Sequence, residues 1–234
     1  MPPILSINNL SFAHGVRTVV QDVSLAVMPG EVLVVVGSSG SGKTTLLRLI
    51  AGLERPRAGS ITLSDRTLSG PGVFVAPEQR AVGMVFQGLA LFPHLTVEGN
   101  LGFGLAHLPR TERALRIAEE LASVGLQGFG ARYPHQLSGG QQQRVAIARS
   151  LVRRPSLILM DEPFSDLDHR TRSQVRTEVL RILRSHGTTA IIVTHDREDA
   201  YHVADRIAEM DEGRVVRVDT AEVFRTAWET RPFS

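Results

Sequence analysis

The feature that most restricts the fold is a glycine-rich turn at residues 37–44, which reads Gly-Ser-Ser-Gly-Ser-Gly-Lys-Thr. An apolar run at 32–36 precedes it, and an apolar-periodic stretch beginning at Leu46 follows it. This order predicts strand, loop and helix, and the spacing matches the G-x-x-x-x-G-K-[ST] phosphate-binding loop. Glycines let backbone N–H groups converge on phosphate oxygens, and the helix N-terminus adds positive dipole character at the same place.

Lys43 is the one lysine in a chain with 26 basic residues, and all the others are arginine. A slim ammonium suits a loop closed around a triphosphate better than a planar guanidinium does. We therefore expect Lys43 to contact the β- and γ-phosphates and the Thr44 hydroxyl to bind Mg²⁺. The predicted nucleotide contacts of this loop are Gly37, Ser38, Ser39, Gly40, Ser41, Gly42, Lys43, Thr44 and Thr45.

Composition excludes several other classes of function. The chain has 42% hydrophobic and 21% charged residues, typical of a globular domain, and it has no cysteine for disulfides, thiolate metal sites or a cysteine nucleophile. Its net charge is only +2, and basic residues are scattered among acidic ones, so nucleic-acid binding is not indicated. Residues 1–6 show no signal-peptide pattern and no apolar run reaches the roughly 18 residues of a membrane helix, so any membrane role is expected to come through a partner.

Strand and helix patterns alternate along most of the chain. Apolar alternation predicts a β-rich start over 4–36, and further strands at 60–63, 81–86, 157–160, 190–193, 206–210 and 214–218. Helices are predicted at 44–53, 169–186 and 197–204, and a Gly-, Pro- and Ser-rich loop at 64–80. Helical periodicity dominates 88–150. The whole pattern predicts an α/β fold with a parallel sheet and a helical insertion.

Polar side chains come directly after three of the predicted strands, at Gln87, at Asp161-Glu162 and at His195. Ligands of parallel α/β sheets bind at the carboxyl ends of the strands, so we expect these groups to lie at one edge with the phosphate-binding loop. Asp161 suits a Mg²⁺ ligand, Glu162 a base for the attacking water, His195 a γ-phosphate contact and Gln87 a further metal oxygen. Acidic residues after a strand are often only helix caps, which Pro163 disfavours here.

A second glycine turn, Leu137-Ser138-Gly139-Gly140-Gln141, precedes an apolar-periodic helix that runs to Leu151. A serine and two glycines at a helix N-terminus describe a second anion-binding site. One nucleotide needs only one such cradle. Two in one chain therefore predict that the second cradle closes on a nucleotide held by another copy.

With these motifs the chain resembles the ATPase subunit of an ABC transporter, over essentially its whole length. The resemblance implies a P-loop NTPase (RecA-like) core with an N-terminal antiparallel β subdomain and an inserted α-helical subdomain. Residues 1–87 and 151–234 would form the RecA-like core and the β subdomain, and residues 88–150 would form the α-helical subdomain. It also implies ATP and Mg²⁺ as ligands, and ATP hydrolysis coupled to transmembrane transport.

Roles are carried over from the family by position. Glu162 resembles the catalytic base, His195 the switch histidine and Gln87 the Q-loop glutamine, and Asp161 joins Thr44 and Gln87 around the metal. The family signature covers the partner's ATP and corresponds to Ser138, Gly139, Gly140 and Gln141. Residues 165–168, with Asp168 among the nucleotide contacts, resemble the D-loop at the interface of a head-to-tail dimer, expected to be a homodimer.

The segments 87–97 and 133–136 resemble those of importer ATPases for ferric iron, sulfate/molybdate, polyamines and sugars. The resemblance implies permease subunits that dock near residues 88–97, where an exposed Leu91-Phe92-Pro93 is expected, and an extracytoplasmic solute-binding protein. It implies a peripheral position on the cytoplasmic face of the inner or plasma membrane. Because many members continue into a C-terminal regulatory domain beyond this length, that domain is expected to be absent.

One position departs from the family. The residue before Gly15 is usually a tyrosine or phenylalanine that stacks on adenine, and here it is His14, with Phe12 as a second candidate. Three other functions compete with import. An exporter ATPase is disfavoured by residues 88–97, a non-transport ABC ATPase by the single cassette without a long coiled coil, and a P-loop kinase by the signature at 137–141.

Overall fold

The five residues Val32–Val36 are all buried and form strand β3, from which the phosphate-binding loop emerges. Their side chains alternate between two cores, with Val32, Val34 and Val36 in one and Leu33 and Val35 in the other. An apolar run can stay continuous only where a strand is covered on both faces. The computed structural model describes residues 1–165 and 167–229.

β3 lies in a six-stranded sheet of order β11-β10-β3-β9-β8-β7, in which only the β10–β11 pair is antiparallel. Its other strands are β7 Val82–Val85, β8 Leu157–Asp161, β9 Thr189–Thr194, β10 Arg206–Asp211 and β11 Arg214–Thr220. The carboxyl ends of β3, β9, β8 and β7 therefore share one edge, as the sequence predicts.

A second sheet is antiparallel throughout, with the order β2-β1-β4-β5-β6. Its strands are β1 Leu5–His14, β2 Arg17–Val27, β4 Ala58–Leu63, β5 Arg66–Gly70 and β6 Val73–Phe74. The predicted loop at 64–80 is wrong, because β5, β6 and a 3₁₀ turn at Pro77–Gln79 lie within it. Ser64 and Asp65 both adopt left-handed backbone angles, so a hairpin turn without glycine connects β4 to β5.

Seven α-helices lie in the described part of the chain: α1 Lys43–Ala51, α2 Val97–Gly102, α3 Arg110–Ser123, α4 Gly139–Leu151, α5 His169–Ser185, α6 Arg197–Val203 and α7 Ala221–Glu229. Helix α1 packs in the core between the sheets. In chain order, α2, α3 and α4 follow β7 and precede β8. The mixed α/β fold with a β-rich start is confirmed, and the domain division at 87/88 and 150/151 stays a prediction. None of the described helices is long and apolar enough to cross a bilayer.

A buried carboxyl joins α3 to the end of α5. Glu120 Oε1 lies 3.3 Å from Nε2 of His186, and the Ser123 hydroxyl donates to the same oxygen at 3.2 Å. His186 Nδ1 lies 2.9 Å from the carbonyl oxygen of Ile182, which fixes the ring. Burial raises the pKa of Glu120, against the opposing effects of His186, of the Ser123 hydrogen bond and of Arg154.

This pKa direction predicts how stability changes with pH. A carboxyl whose folded pKa is raised contributes stability below its unfolded pKa, and this contribution is lost as pH rises through the folded pKa. Glutamine mimics the protonated carboxyl and does not titrate. We therefore expect the free energy of unfolding of Glu120→Gln to rise relative to that of the wild type between pH 5 and pH 8 in urea titrations. If the difference in the free energy of unfolding between the two proteins instead shifts in favour of the wild type over this pH range, attraction to His186 outweighs burial.

Candidate functional site

The phosphate-binding loop connects β3 to α1 at the carboxyl edge of the parallel sheet. Gly42 has a φ of +101°, and a Cβ atom there would lie 2.5 Å from the carbonyl oxygen of Val19, so only glycine fits. Lys43 is 6% exposed, and its Nζ donates to the carbonyl oxygens of Gly37 and Ser38 at 2.9 and 2.8 Å. The ammonium thus lies inside the curve of the loop, where a phosphate would be bound.

Thr44 and Asp161 bring two hard oxygen atoms together beside this loop. The Thr44 hydroxyl donates to Oδ1 of Asp161 at 2.9 Å, joining the start of α1 to the end of β8. Burial raises the pKa of Asp161, against the opposing Thr44 hydrogen bond. Burial also lowers the pKa of Lys43, while Glu162 and Asp161 act in the opposite direction. This donor set fits Mg²⁺, which prefers one or two carboxylates, a hydroxyl and phosphate oxygens.

Glu162 and His195 form a second pair at the same edge. His195 Nδ1 lies 2.9 and 3.0 Å from the two carboxylate oxygens of Glu162. Glu162 has a φ of +46°, a left-handed conformation that is uncommon outside glycine, and its N–H donates to the carbonyl oxygen of Val193 on β9. The carboxylate is largely shielded and the imidazole is exposed. The Glu162 carboxylate can accept a proton, and the exposed His195 imidazole can orient the carboxylate or pass the proton on.

Two ion pairs between α5 and α6 position the loop that carries His195. Asp196 caps α6 by accepting from the N–H groups of Glu198 and Asp199, and Arg172 donates to its other oxygen at 2.9 Å. Arg176 and Asp199 are both nearly fully buried and lie 3.1 Å apart. Removing one member of a buried pair leaves an uncompensated charge, so these contacts hold the segment around His195 firmly.

The second glycine turn begins α4, where the Ser138 hydroxyl accepts from the N–H of Gln141 and the Gln141 amide oxygen accepts from the N–H of Ser138. A cavity of about 710 Å³ opens at this helix N-terminus. Among the described residues, its lining includes Ser138, Gly139, Gly140, Gln141 and Asp168 and none of residues 37–45. Gly139 also lines a smaller cavity, of about 240 Å³, together with Glu162. The glycine turn at 138–141 therefore faces a cavity that residues 37–45 do not line.

A comparison with known protein families shows to which family the chain belongs. Residues 20–165 match the model of the family described as ABC transporter. The chain belongs to the ABC transporter family.

The relatives within this family are ATP-binding proteins. The chain is 47% identical over 224 residues to the putrescine transport ATP-binding protein PotG of Escherichia coli, covering 95% of this chain and 58% of the relative. It is 45% identical to the Fe(3+) ions import ATP-binding protein FbpC 2 of Haemophilus influenzae, with 93% and 62% coverage. It is 47% identical to the sulfate/thiosulfate import ATP-binding protein CysA 2 of Chromobacterium violaceum, with 95% and 60% coverage. The chain thus spans about three fifths of the length of these curated relatives.

Solved structures of ABC proteins share the fold. The chain superposes on cbiO1 from Clostridium perfringens, part of the transporter complex cbiONQ, with a TM-score of 0.86 and 29% identity, covering 97% of this chain and 92% of that one. It also superposes on the ATP-binding cassette MJ0796, in a dimeric post-hydrolysis state bound to ADP and Pi, with a TM-score of 0.77 and 30% identity over 98% and 100% of the two chains. The P-loop NTPase fold predicted from the sequence is confirmed.

Apart from His14, the predicted site residues lie in three places of the ABC fold. The loop residues 37–45, with Asp161, Glu162 and His195, lie together at the sheet edge. Gln87 lies two residues beyond β7 and is exposed. Residues 138–141 and Asp168 line the cavity at the start of α4, and Asp168 also accepts from the N–H of Thr171 at the start of α5. Asp166, part of the predicted D-loop, lies outside the described residues.

His14 and Phe12 have different surroundings. His14 ends β1, is exposed, and lines a cavity of about 540 Å³ together with Gly40 of the phosphate-binding loop. Phe12 is buried in the core, and its ring meets the His14 ring edge-on at 4.8 Å. Of the two candidates, only the imidazole faces the space where an adenine could lie.

Arg80 is a residue that the sequence analysis does not single out. It is 2% exposed and donates from NH1 to the carbonyl oxygens of Leu49 and Ile50, at the last turn of α1, at 3.0 and 2.7 Å. Burial lowers the pKa of Arg80 to about 10. A cation at a helix C-terminus complements the helix dipole, so Arg80 anchors the end of α1 opposite to the phosphate-binding loop. An isolated arginine before a strand gives no sequence signal for this contact.

Proposed function

We propose that this chain is the ATP-binding and ATP-hydrolysing subunit of an ABC transporter that imports a small solute or ion. The observation that carries the proposal is the arrangement of Lys43, the Thr44–Asp161 contact and the Glu162–His195 pair at one sheet edge. The relatives named for import of Fe(3+) and of sulfate/thiosulfate support import over export. The relative named for putrescine transport adds a polyamine to the candidate solutes.

The loop residues 37–45 are assigned to the triphosphate of ATP, with Lys43 on the β- and γ-phosphates. Ser41 supports a ligand here, because its hydroxyl is buried and has no hydrogen-bond partner among the residues that the structure describes. Thr44, Asp161 and Gln87 are assigned to Mg²⁺, which neutralises phosphate charge when it is bound. Among the described residues there is no cluster of three or more His, Cys, Asp or Glu that could hold a metal, so phosphate oxygens would complete this shell.

Glu162 is assigned as the base that takes a proton from the attacking water. His195 holds both carboxylate oxygens through Nδ1, which aims the carboxylate and leaves Nε2 for the γ-phosphate. A positioned general base contributes about 10²- to 10⁴-fold to the rate of such a reaction. Gln87, on the segment after β7, completes the catalytic group.

A second copy of the chain is assigned to complete each site. The signature residues, Ser138, Gly139, Gly140 and Gln141, with Asp168, would close on the ATP held by the other copy's phosphate-binding loop. The cavity at the signature is not lined by residues 37–45 of the same chain, which supports this assignment. Because one chain carries every motif, the dimer is proposed to be a homodimer that ATP closes and hydrolysis reopens.

Permease subunits are assigned to a groove beside residues 88–97. A cavity of about 460 Å³ there is lined by several apolar side chains, including Phe86, Phe92 and Phe103, and Phe103 is 65% exposed. The prediction that Leu91-Phe92-Pro93 is an exposed strip needs correction, since Leu91 and Phe92 are half-buried and only Pro93 is exposed. Docking here would place the chain on the cytoplasmic face of the membrane, with a solute-binding protein on the other side.

His14 is assigned to the adenine base, and this assignment gives a prediction about affinity. Imidazole offers less stacking area than a phenol ring, and an aromatic pair contributes about 0.5–1.5 kcal/mol. We expect His14→Tyr to lower the Kd for ATP roughly two- to tenfold, measured by calorimetry, while the control His107→Tyr leaves it unchanged. Weaker binding in the tyrosine variant would contradict stacking at this position.

Import is tested by isolating the chain with its membrane subunits and reconstituting the complex in vesicles. If ATP is supplied on the side of the ATPase, labelled solutes of the polyamine, ferric iron and sulfate classes should move toward that side, and Lys43→Arg should abolish the movement. Movement away from the ATPase side would favour the exporter alternative. Failure of any membrane subunit to co-purify with the chain would favour a non-transport ABC ATPase.

A further inference from the structure

Three consecutive residues after Gln87 adopt left-handed backbone angles. The φ values are +74° at Gly88, +64° at Leu89 and +49° at Ala90. Glycine tolerates this region, but leucine and alanine do so at a cost in conformational free energy. Within the turn, the N–H of Leu89 donates to the carbonyl oxygen of Phe86 at 2.9 Å, and that of Ala90 to Gly88 at 2.7 Å. Other contacts must hold such a strained turn closed.

Arg149, near the end of α4, supplies contacts of this kind. Its NH1 donates to the carbonyl oxygen of Ala90 at 2.7 Å and its NH2 to that of Leu89 at 3.2 Å. The guanidinium also lies 5.4 Å from the centroid of the Phe92 ring. Burial lowers the pKa of Arg149. A planar fork can bind two neighbouring carbonyl oxygens at once, which a lysine ammonium does less well.

The segment beyond the turn is anchored independently. Asn100 is fully buried, its Oδ1 accepts from the N–H of Phe92 at 2.9 Å, and its Nδ2 donates to the carbonyl oxygens of Phe92 and Leu95. Before the turn, strand β7 ends at Val85. The stretch between these fixed points contains Gln87 and the left-handed turn.

We propose that Arg149 is a positioning residue that holds the left-handed turn at 88–90 closed and thereby sets the position of Gln87. The turn also places Ala90 and Phe92 at the groove described above. Helix α4 is 13 residues long and begins next to Ser138, so a shift of its N-terminus would reach the turn through Arg149. The inference rests on the proposed function for the roles of Gln87 and of the groove.

The contact is tested first by amide hydrogen exchange in the isolated chain without nucleotide. In Arg149→Gln we expect exchange at Leu89 and Ala90 to become at least tenfold faster. Adding Ala90→Gly should return part of this protection, because glycine accepts the left-handed angle without strain. Arg184→Gln is the control, since it removes a guanidinium–carbonyl bond to Gly30 and an ion pair with Asp205, both outside this segment. Should Arg149→Gln fail to fold, Arg149→Lys, which keeps the charge but loses the fork, is compared in the same way.

Hydrolysis gives the second measurement. We expect Arg149→Gln to lower kcat about tenfold with an unchanged KM for ATP, and Ala90→Gly to recover part of the loss. Unchanged exchange at 88–90 in Arg149→Gln, or a loss of kcat that Ala90→Gly does not reduce, would overturn the proposal. Because the exchange experiment needs no nucleotide, faster exchange in a chain without ATPase activity would contradict the proposed function and still support the contact.

Discussion

Replacing Glu162 with glutamine is expected to lower kcat for ATP hydrolysis by about 10²- to 10⁴-fold while ATP binding persists. Glutamine keeps the size of the side chain but cannot accept the proton of the attacking water. Triphosphate binding is expected to persist because Lys43 and the Thr44–Asp161 contact do not depend on the Glu162 side chain for a hydrogen bond. The measurement is steady-state phosphate release beside equilibrium binding of ATP.

A matched control accompanies this variant. Glu222→Gln makes the same chemical change on α7, at an exposed position, and should leave both kcat and Kd unchanged. If Glu162→Gln hydrolyses ATP at the wild-type rate, Glu162 is not the base and another group at the sheet edge must take the proton. If it loses ATP binding as well, the carboxylate serves to shape the loop.

Replacing Lys43 with arginine is expected to raise the Kd for ATP roughly a hundredfold or more, although the positive charge is retained. Lys43 is almost fully buried within the loop, with Nζ less than 3 Å from two backbone carbonyl oxygens. A guanidinium is too broad for this space, and each hydrogen bond to a charged group is worth about 1.5–3 kcal/mol. Fluorescent nucleotide binding measures the effect directly.

The chain provides an opposite exchange as the control for this prediction. Arg48→Lys replaces an exposed arginine on the same helix with lysine, the opposite of the change at Lys43. It should change ATP affinity less than twofold. If Lys43→Arg binds ATP as tightly as the wild type, the ammonium does not lie against the phosphates, and the single lysine of this arginine-rich chain is not retained for ATP binding.

The grouping of the loop at 37–44 with Asp161 and His195 at one sheet edge could be predicted because its signals are local. A fully apolar run predicts a buried strand, a glycine loop follows it, and Asp161 and His195 come directly after two further apolar runs. The parallel sheet then brings their ends together. The order of the strands, with β9 between β3 and β8, does not follow from these local signals.

Contacts between distant residues could not be predicted in this way. Arg80 reaches the end of α1 across about 30 residues of sequence, and Arg149 reaches Ala90 across 59. Each looks like an ordinary surface arginine in a chain that uses arginine at nearly every basic position. The hairpin at Ser64-Asp65 gives no sequence signal for a different reason, because two non-glycine residues adopt the left-handed angles that glycine usually signals.

One measurement tests directly whether two copies of the chain share each nucleotide site. The molecular mass of Glu162→Gln in solution with Mg²⁺ and ATP is compared with that of Glu162→Gln combined with Ser138→Glu. We predict a dimer for the first and a monomer for the second, with the same affinity of the monomer for ATP. Dimers of equal stability in both proteins, or loss of ATP binding to the monomer when Ser138 is changed, would contradict the shared site.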